Sequence, residues 1–158
     1  YIAFAAGEGD EAPQDIAIEL MVKRLVTQAR KSHKFDITLS PVKDEIPVFP
    51  MRRNAIQRAF SNIISNAIRY SSKTIVHIQK RNDEVIITFD DNGSGIPEAR
   101  RADAVRPFIR LEESRNRRTG GTGLGLSITS DIVLSHGGEL TLGESPLGGL
   151  RVSIKLPI

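Results

Sequence analysis

Residues 51–70 read Met51-Arg52-Arg53-Asn54-Ala55-Ile56-Gln57-Arg58-Ala59-Phe60-Ser61-Asn62-Ile63-Ile64-Ser65-Asn66-Ala67-Ile68-Arg69-Tyr70. Within them Ile56, Phe60, Ile63, Ala67 and Tyr70 recur at steps of 4, 3, 4 and 3. That rhythm follows the turn of an α-helix and draws one apolar stripe along it. Asn62 and Asn66 stand one turn apart and project from the same side, with Arg58 and Arg69 on or near that face. Asparagine is a poor residue for a helix interior, so two of them ask for an offsetting role. An amide oxygen is a neutral, hard ligand. It suits Mg²⁺, which keeps several waters and takes its other ligands from phosphates. Ordinary solvated polar residues are the competing reading.

Outward from this helix the period changes. Residues 74–80 and 84–90 alternate as two strands around Asn82-Asp83, a hairpin signal, and Val85, Ile87 and Phe89 share one face. Residues 124–136 return to helix, with Leu124, Ile128 and Ile132 on one side and Gly137-Gly138 as the stop. Residues 139–142 and 150–156 close as a second hairpin, in which Val152, Ile154 and Leu156 alternate with Arg151, Ser153 and Lys155. On the other side, Asp15 is placed to cap a helix over 16–31. Residues 35–39 alternate as a strand, and 46–49, boxed by Pro47 and Pro50, make at best a short edge strand. Helices and antiparallel hairpins in irregular order predict an α+β fold, with helices layered on one face of a mixed sheet. Residues 1–13 show no sustained period and read as a linker, which leaves one domain over 14–158.

Composition narrows the chemistry. The chain has 158 residues, enough to bury a core without disulfides or metal staples. It has no cysteine, so thiolate zinc sites and cysteine nucleophiles are excluded. His33, His77 and His136 are too far apart for a short metal motif. No apolar run is long enough to span a membrane and no signal peptide is recognisable. The net charge of +3 is concentrated between Glu98 and Arg118, where seven arginines face four acids. The remainder is balanced, which argues against a nucleic-acid-binding face. That basic stretch reads either as a solvated loop or as a positive flap over an anionic ligand.

Two glycine-rich segments could meet such a ligand. Asp91-Asn92-Gly93-Ser94-Gly95 follows a strand directly, so its carboxylate can accept from an N–H donor while the glycines let backbone approach closely. A plain turn has the same composition. Gly120-Gly121-Thr122-Gly123-Leu124-Gly125-Leu126 runs into a helix, whose free N–H groups and positive end favour an anion. It is neither a P-loop nor a GxGxxG motif, and a flexible hinge is the alternative. Taken together, the amide-bearing helix, the acidic turn, the basic flap and the glycine-led helix start describe one site.

These segments resemble, in order and spacing, the boxes of sensor histidine kinases. Asn62 to Tyr70 is similar to the N box, Asp91 to Ile96 to the G1 box, Arg106-Pro107-Phe108-Ile109-Arg110 to the F box, and Gly121 to Leu126 to the G2 box. Gly148-Gly149-Leu150, followed by Leu156-Pro157, resembles the family's usual ending, and the EnvZ-type osmosensor branch is the most similar. The resemblance implies the Bergerat ATP-binding fold: a mixed, mostly antiparallel sheet with helices on one face and a flexible ATP lid.

Carried over residue by residue, it implies that Asn66 ligates Mg²⁺, with Asn62 near the phosphates on the same face. Arg69 would meet a phosphate, and Tyr70 would pack near the base. Asp91 would accept from the adenine amine in a pocket shaped by Gly93, Gly95 and Ile96. Phe108 would anchor the lid, with Arg110 and Arg115 reaching the phosphates. Gly121, Thr122, Gly123, Leu124, Gly125 and Leu126 would cradle them. Gyrase-, Hsp90- and MutL-type relatives carry a Glu four residues before the metal Asn, where it activates water. Here that position is Asn62, an amide that cannot serve as a base. Slow hydrolysis follows, with the γ-phosphate kept for a protein acceptor.

The implied acceptor is a histidine on a separate upstream dimerisation domain, to which residues 1–13 would be the linker. A response regulator would take the phosphoryl group next. None of the three histidines stands in an acceptor motif, so the chain is expected to bind ATP without phosphorylating itself. The implied setting is cytoplasmic, without membrane or nucleic-acid contact by this domain, and the resemblance allows a parent anchored in the inner membrane. The competing functions are an ATP-sensing module without transfer and an anti-sigma-type serine kinase.

Overall fold

The computed structural model describes residues 11–106 and 125–158. In chain order the elements are β1 (Gln14–Ile16), α1 (Ile18–His33), β2 (Asp36–Leu39), β3 (Phe49–Met51), α2 (Arg53–Tyr70), β4 (Lys73–Arg81) and β5 (Glu84–Asp91). A single 3₁₀ turn (Glu98–Arg100) then leads into the short α3 (Arg101–Ala104). After it come α4 (Gly125–Ser135), β6 (Glu139–Glu144) and β7 (Leu150–Pro157). The main sheet has the order β2-β4-β5-β7-β6, and only β2–β4 is parallel.

Register lines up the apolar residues in rows. Val76 lies opposite Phe89, which lies opposite Val152, which lies opposite Leu142. Ile78, Ile87, Ile154 and Leu140 form the next row. These rows and the stripes of α1, α2 and α4 bury one another in a single core. Phe60 of α2 is fully buried, and its ring centroid stands 6.1 Å from that of Phe89. The helical and strand periods read from the sequence thus meet face to face, as the α+β expectation requires. The opposite face of the sheet is polar. There Asp90, nearly buried, accepts two hydrogen bonds from its cross-strand neighbour Arg151, at 2.7 and 2.8 Å. The hydrogen bond that Arg151 donates to Asp90 raises the Arg151 pKa above the ordinary arginine value.

The N-terminal third departs from the sequence reading. Asp15 caps nothing; it belongs to β1, paired with Pro50 of β3, and α1 starts at Ile18 behind Ala17 with no side-chain cap. The ribbon places Ile16 opposite Phe49 and buries both. Burying two large apolar side chains outweighs one cap worth about 1 kcal/mol. The short edge strand accordingly falls at 49–51 rather than 46–49, and α2 begins at Arg53 rather than Met51. Pro50 is tolerated because this two-stranded ribbon has no central strand. The cap of α2 is Glu11: its carboxylate accepts from Asn54 N–H at 2.8 Å and Ala55 N–H at 3.2 Å. A negative charge at that helix end is also favoured by the helix dipole.

At the far end of α4 the expected glycine stop is present. Gly138 N–H donates to Val133 and Gly137 N–H to Leu134, with Gly137 at φ +77°. This is the Schellman pattern. His136, beside it, joins two helices: Nε2 accepts from Arg52 N–H at 3.1 Å, and Nδ1 lies 2.8 Å from Ile132 O. Only the neutral ring protonated on Nδ1 satisfies both. Burial lowers the His136 pKa below 6.5, and the Arg52 charge adds to this, although the Ile132 bond and Glu11 oppose it. The unfolded chain therefore binds the proton first as pH falls. Stability should hold above about pH 6.5, fall below it, and level off under the lowered native value. Urea midpoints between pH 7.5 and pH 5 check this, and His136→Gln should remove that share of the slope.

Among the described residues, no helix is long and apolar enough to cross a membrane.

Candidate functional site

The end of α2, the end of β5, the start of α4 and the start of β7 converge on a cleft of about 340 Å³. From α2 come Asn66 and Tyr70; from the bend after β5 come Asp91, Gly93, Gly95 and Ile96; from α4 comes Leu126. All seven were singled out in the sequence. Gly125 joins them: a Cβ placed on it would stand 3.6 Å from Asn66 Nδ2, so the start of α4 passes close over that amide. Ala59 O and Thr129 Oγ1, 3.4 Å apart, hold the two helices together further along.

Asp91 is fixed by its own surroundings. Its Oδ1 accepts from Gly93 N–H at 2.8 Å and from Leu150 N–H at 2.9 Å. Gly93 must be glycine on steric grounds, because a Cβ there would lie 2.4 Å from Tyr70 O. Thr74, opposite Asp91 in the β4–β5 register, has a buried hydroxyl bordering a void of about 20 Å³ beneath the cleft. That is about the volume one water needs.

Two expected site residues stand apart from the cleft walls. Asn62 is half-buried one turn before Asn66, and Arg69 is exposed at the end of α2; neither borders the cleft among the described residues. Phe108, Arg110, Arg115, Gly121, Thr122, Gly123 and Leu124 lie outside the described residues. The structure also adds residues to which the sequence reading gave no role of their own in the site. Ser94, Pro97, Arg100 and Leu150 line the cleft. Asn92 ties the bend to the end of α2: its Oδ1 accepts from Ser72 N–H and Lys73 N–H, each at 3.0 Å, and its Nδ2 donates to Ser72 Oγ. The Asp-Asn-Gly composition signals the Asx turn that Asp91 makes with Gly93 N–H, but not these ties from Asn92 to the end of α2. Leu150 gave no such signal, since an apolar residue opening a strand is ordinary.

The donor set offers a divalent ion few protein ligands. No group of three or more His, Cys, Asp or Glu side chains is gathered anywhere among the described residues. A hard cation here would take one amide oxygen, from Asn66, and the rest from water and phosphate, which is a pattern that suits Mg²⁺.

Comparison with known proteins agrees with this geometry. The model of the histidine kinase-, DNA gyrase B- and HSP90-like ATPase family matches residues 51–158. The sensor histidine kinase CpxA of Escherichia coli K12 is 44% identical over 106 residues, 66% of this chain and 23% of CpxA. The chain thus spans less than a quarter of that relative. The ATP-binding domain of PrrB from Mycobacterium tuberculosis has a TM-score of 0.74 at 26% identity, covering 93% of this chain and 98% of that one. Full-length ShkA in complex with AMPPNP shares the fold alone, with a TM-score of 0.77 at 19% identity over 99% of this chain and 34% of ShkA. With residues of its N and G1 boxes and Leu126 lining one cleft, the chain belongs to the family of histidine kinase-, DNA gyrase B- and HSP90-like ATPases.

Proposed function

We propose that this domain binds MgATP and passes the γ-phosphoryl group to a histidine on a separate dimerisation domain of its parent protein. A response regulator would then take the group on an aspartate. The observation that carries this reading is that Asn66 and Asp91 line one cleft, with the start of α4 close over Asn66.

Asp91 is an acceptor with one oxygen already engaged by backbone, so its other oxygen suits the exocyclic amine of adenine. Tyr70, Ile96 and Leu150 give the base an apolar surround. The phosphates would run toward Gly125 and Leu126, where helix N–H groups and the positive helix end attract anions. Arg100, on the cleft wall, adds positive charge, and Arg69 would reach the phosphates from the end of α2. Asn66 would hold Mg²⁺, which supplies charge neutralisation between the phosphates when bound. Asn62 has no basic group to activate water, so hydrolysis stays slow and transfer rests on positioning. In the transfer the γ-phosphorus–oxygen bond to ADP breaks and a phosphorus–nitrogen bond to the imidazole forms. The reaction would be a cytoplasmic one, on a parent protein that could itself be anchored in the inner membrane.

Calorimetric titration with a non-hydrolysable ATP analogue, with and without Mg²⁺, tests the binding half. Asn66→Ala should lose the Mg²⁺-dependent gain, on the order of tenfold to a hundredfold in affinity. Its melting temperature should stay close to the parent's, since Asn66 is only half-buried. Normal MgATP binding by Asn66→Ala would move the metal off this helix. Adding a histidine-bearing dimerisation domain and MgATP tests the transfer half. An acid-labile phosphoprotein supports it, an acid-stable one indicates a serine kinase, and none at all indicates a sensing module.

A further inference from the structure

Gly148-Gly149-Leu150 has entered so far only through the Leu150 amide on Asp91 Oδ1 and the apolar wall that Leu150 offers. The segment closes the turn between β6 and β7, and that turn is braced from within. Ser145 N–H donates to Gly149 O and Gly148 N–H to Ser145 O, both at 2.9 Å, and Leu147 N–H donates to Ser145 Oγ at 3.0 Å. The braced turn lies directly against the acidic bend. Gly149 N–H donates to Asp91 O at 3.1 Å, and Leu150 N–H donates to Asp91 Oδ1. A Cβ on Gly149 would stand 2.2 Å from Asp91 Oδ1, 2.4 Å from Gly93 N and 2.6 Å from Asp91 O. Two of these three atoms are backbone. The third is the carboxylate oxygen itself, held by two N–H groups. No flexible chain end is available to give way.

We propose that the β6–β7 turn selects the nucleobase by positioning Asp91: Gly149 admits the carboxylate and the Leu150 amide saturates Oδ1, so that Oδ2 alone faces the base. This rests on the reading of Asp91 as the base acceptor. A carboxylate pinned in this way matches a 6-amino purine. A 6-oxo purine sets its carbonyl against the same oxygen, acceptor against acceptor. A carboxylate free to rotate could turn aside and lose the distinction. Gly149 and Leu150 act through Asp91 and are positioning residues.

The test is calorimetric titration of non-hydrolysable ATP and GTP analogues against the chain, Gly149→Ala, Asp91→Asn and the double variant, each with its melting temperature. Gly143→Ala is the control, because its Cβ would meet nothing within 4 Å in the same hairpin. Gly149→Ala should cut the ATP-to-GTP affinity ratio by about tenfold or more, mostly through ATP, while Gly143→Ala keeps the ratio. In the Asp91→Asn background, Gly149→Ala should change the ratio no further. An unchanged ratio, an equal fall for both nucleotides, or additive effects would overturn the proposal and leave the role of Asp91 standing. If Gly149→Ala does not fold, replacing the Leu150 amide by an ester deletes that N–H and leaves the Gly149 carbonyl in place as a weaker acceptor for Ser145 N–H. The ratio must then fall, and its persistence overturns the proposal. Equal binding of both analogues by the unmodified chain, or an unchanged ratio in Asp91→Asn, overturns the reading of Asp91 and the proposal with it.

Discussion

Asp91→Asn should lose ATP by one to two orders of magnitude while keeping its fold. The new side chain still offers an oxygen to Gly93 N–H and Leu150 N–H, so neither buried donor is orphaned. The position facing the cleft changes from a charged acceptor to an amide donor. A hydrogen bond to a charged group contributes about 1.5–3 kcal/mol, and a donor facing the adenine amine removes it. Each 1.4 kcal/mol is about tenfold in affinity. Asp91→Ala should be worse in a distinguishable way, because it leaves both N–H groups without an acceptor and so lowers stability as well. Titration beside thermal melts separates the two. ATP binding by Asp91→Asn at the parent's affinity would place the base elsewhere.

Phe60→Ala should lower stability by about 3–5 kcal/mol, which for a domain of this size is roughly 8–15 °C in melting temperature. Phe60 is fully buried and meets Phe89 across the helix–sheet boundary, so its loss leaves a cavity at the centre of the core. A whole domain is stable by only about 5–15 kcal/mol, so this one change removes a large share. The same pair also sits on the two elements that carry the site: Phe60 is on α2 with Asn66, and Phe89 is on β5 with Asp91. Saturating MgATP should therefore restore part of the lost melting temperature, since a ligand held by both elements stabilises only the folded form. Urea unfolding with and without nucleotide measures both effects. A loss under about 1 kcal/mol would mean that the cavity collapses.

What the sequence disclosed is what short-range rules can carry. The stripe of α2, the Asn82-Asp83 hairpin and the alternation of β7 each repeat over enough residues to leave one reading. The acidic bend and the glycine stop of α4 were readable because each acts within five residues of itself. The three-residue ribbon of β1 and β3 was not readable. Gln14-Asp15-Ile16 is too short to show a period, and its pairing with residues 49–51 is decided by distant burial. Glu11 looked like linker composition for the same reason, since its partners stand more than forty residues away. Leu150 is the sharpest case within the site. Its contribution is a backbone amide pointed at a side chain 59 residues earlier, and the identity of its side chain carries no trace of that.

The paired acids at the end of β5 carry one more consequence. Asp90 and Asp91 are chemically the same and adjacent, yet one is clamped by Arg151 on the polar face of the sheet while the other lines the cleft. Only the pleat keeps them apart. A one-residue insertion or deletion between the β4–β5 turn and position 90 would swap the two carboxylates, presenting the clamped acid inward and stranding the useful one outside. This strand tolerates no change in length, whatever the chemistry of the residue added or removed.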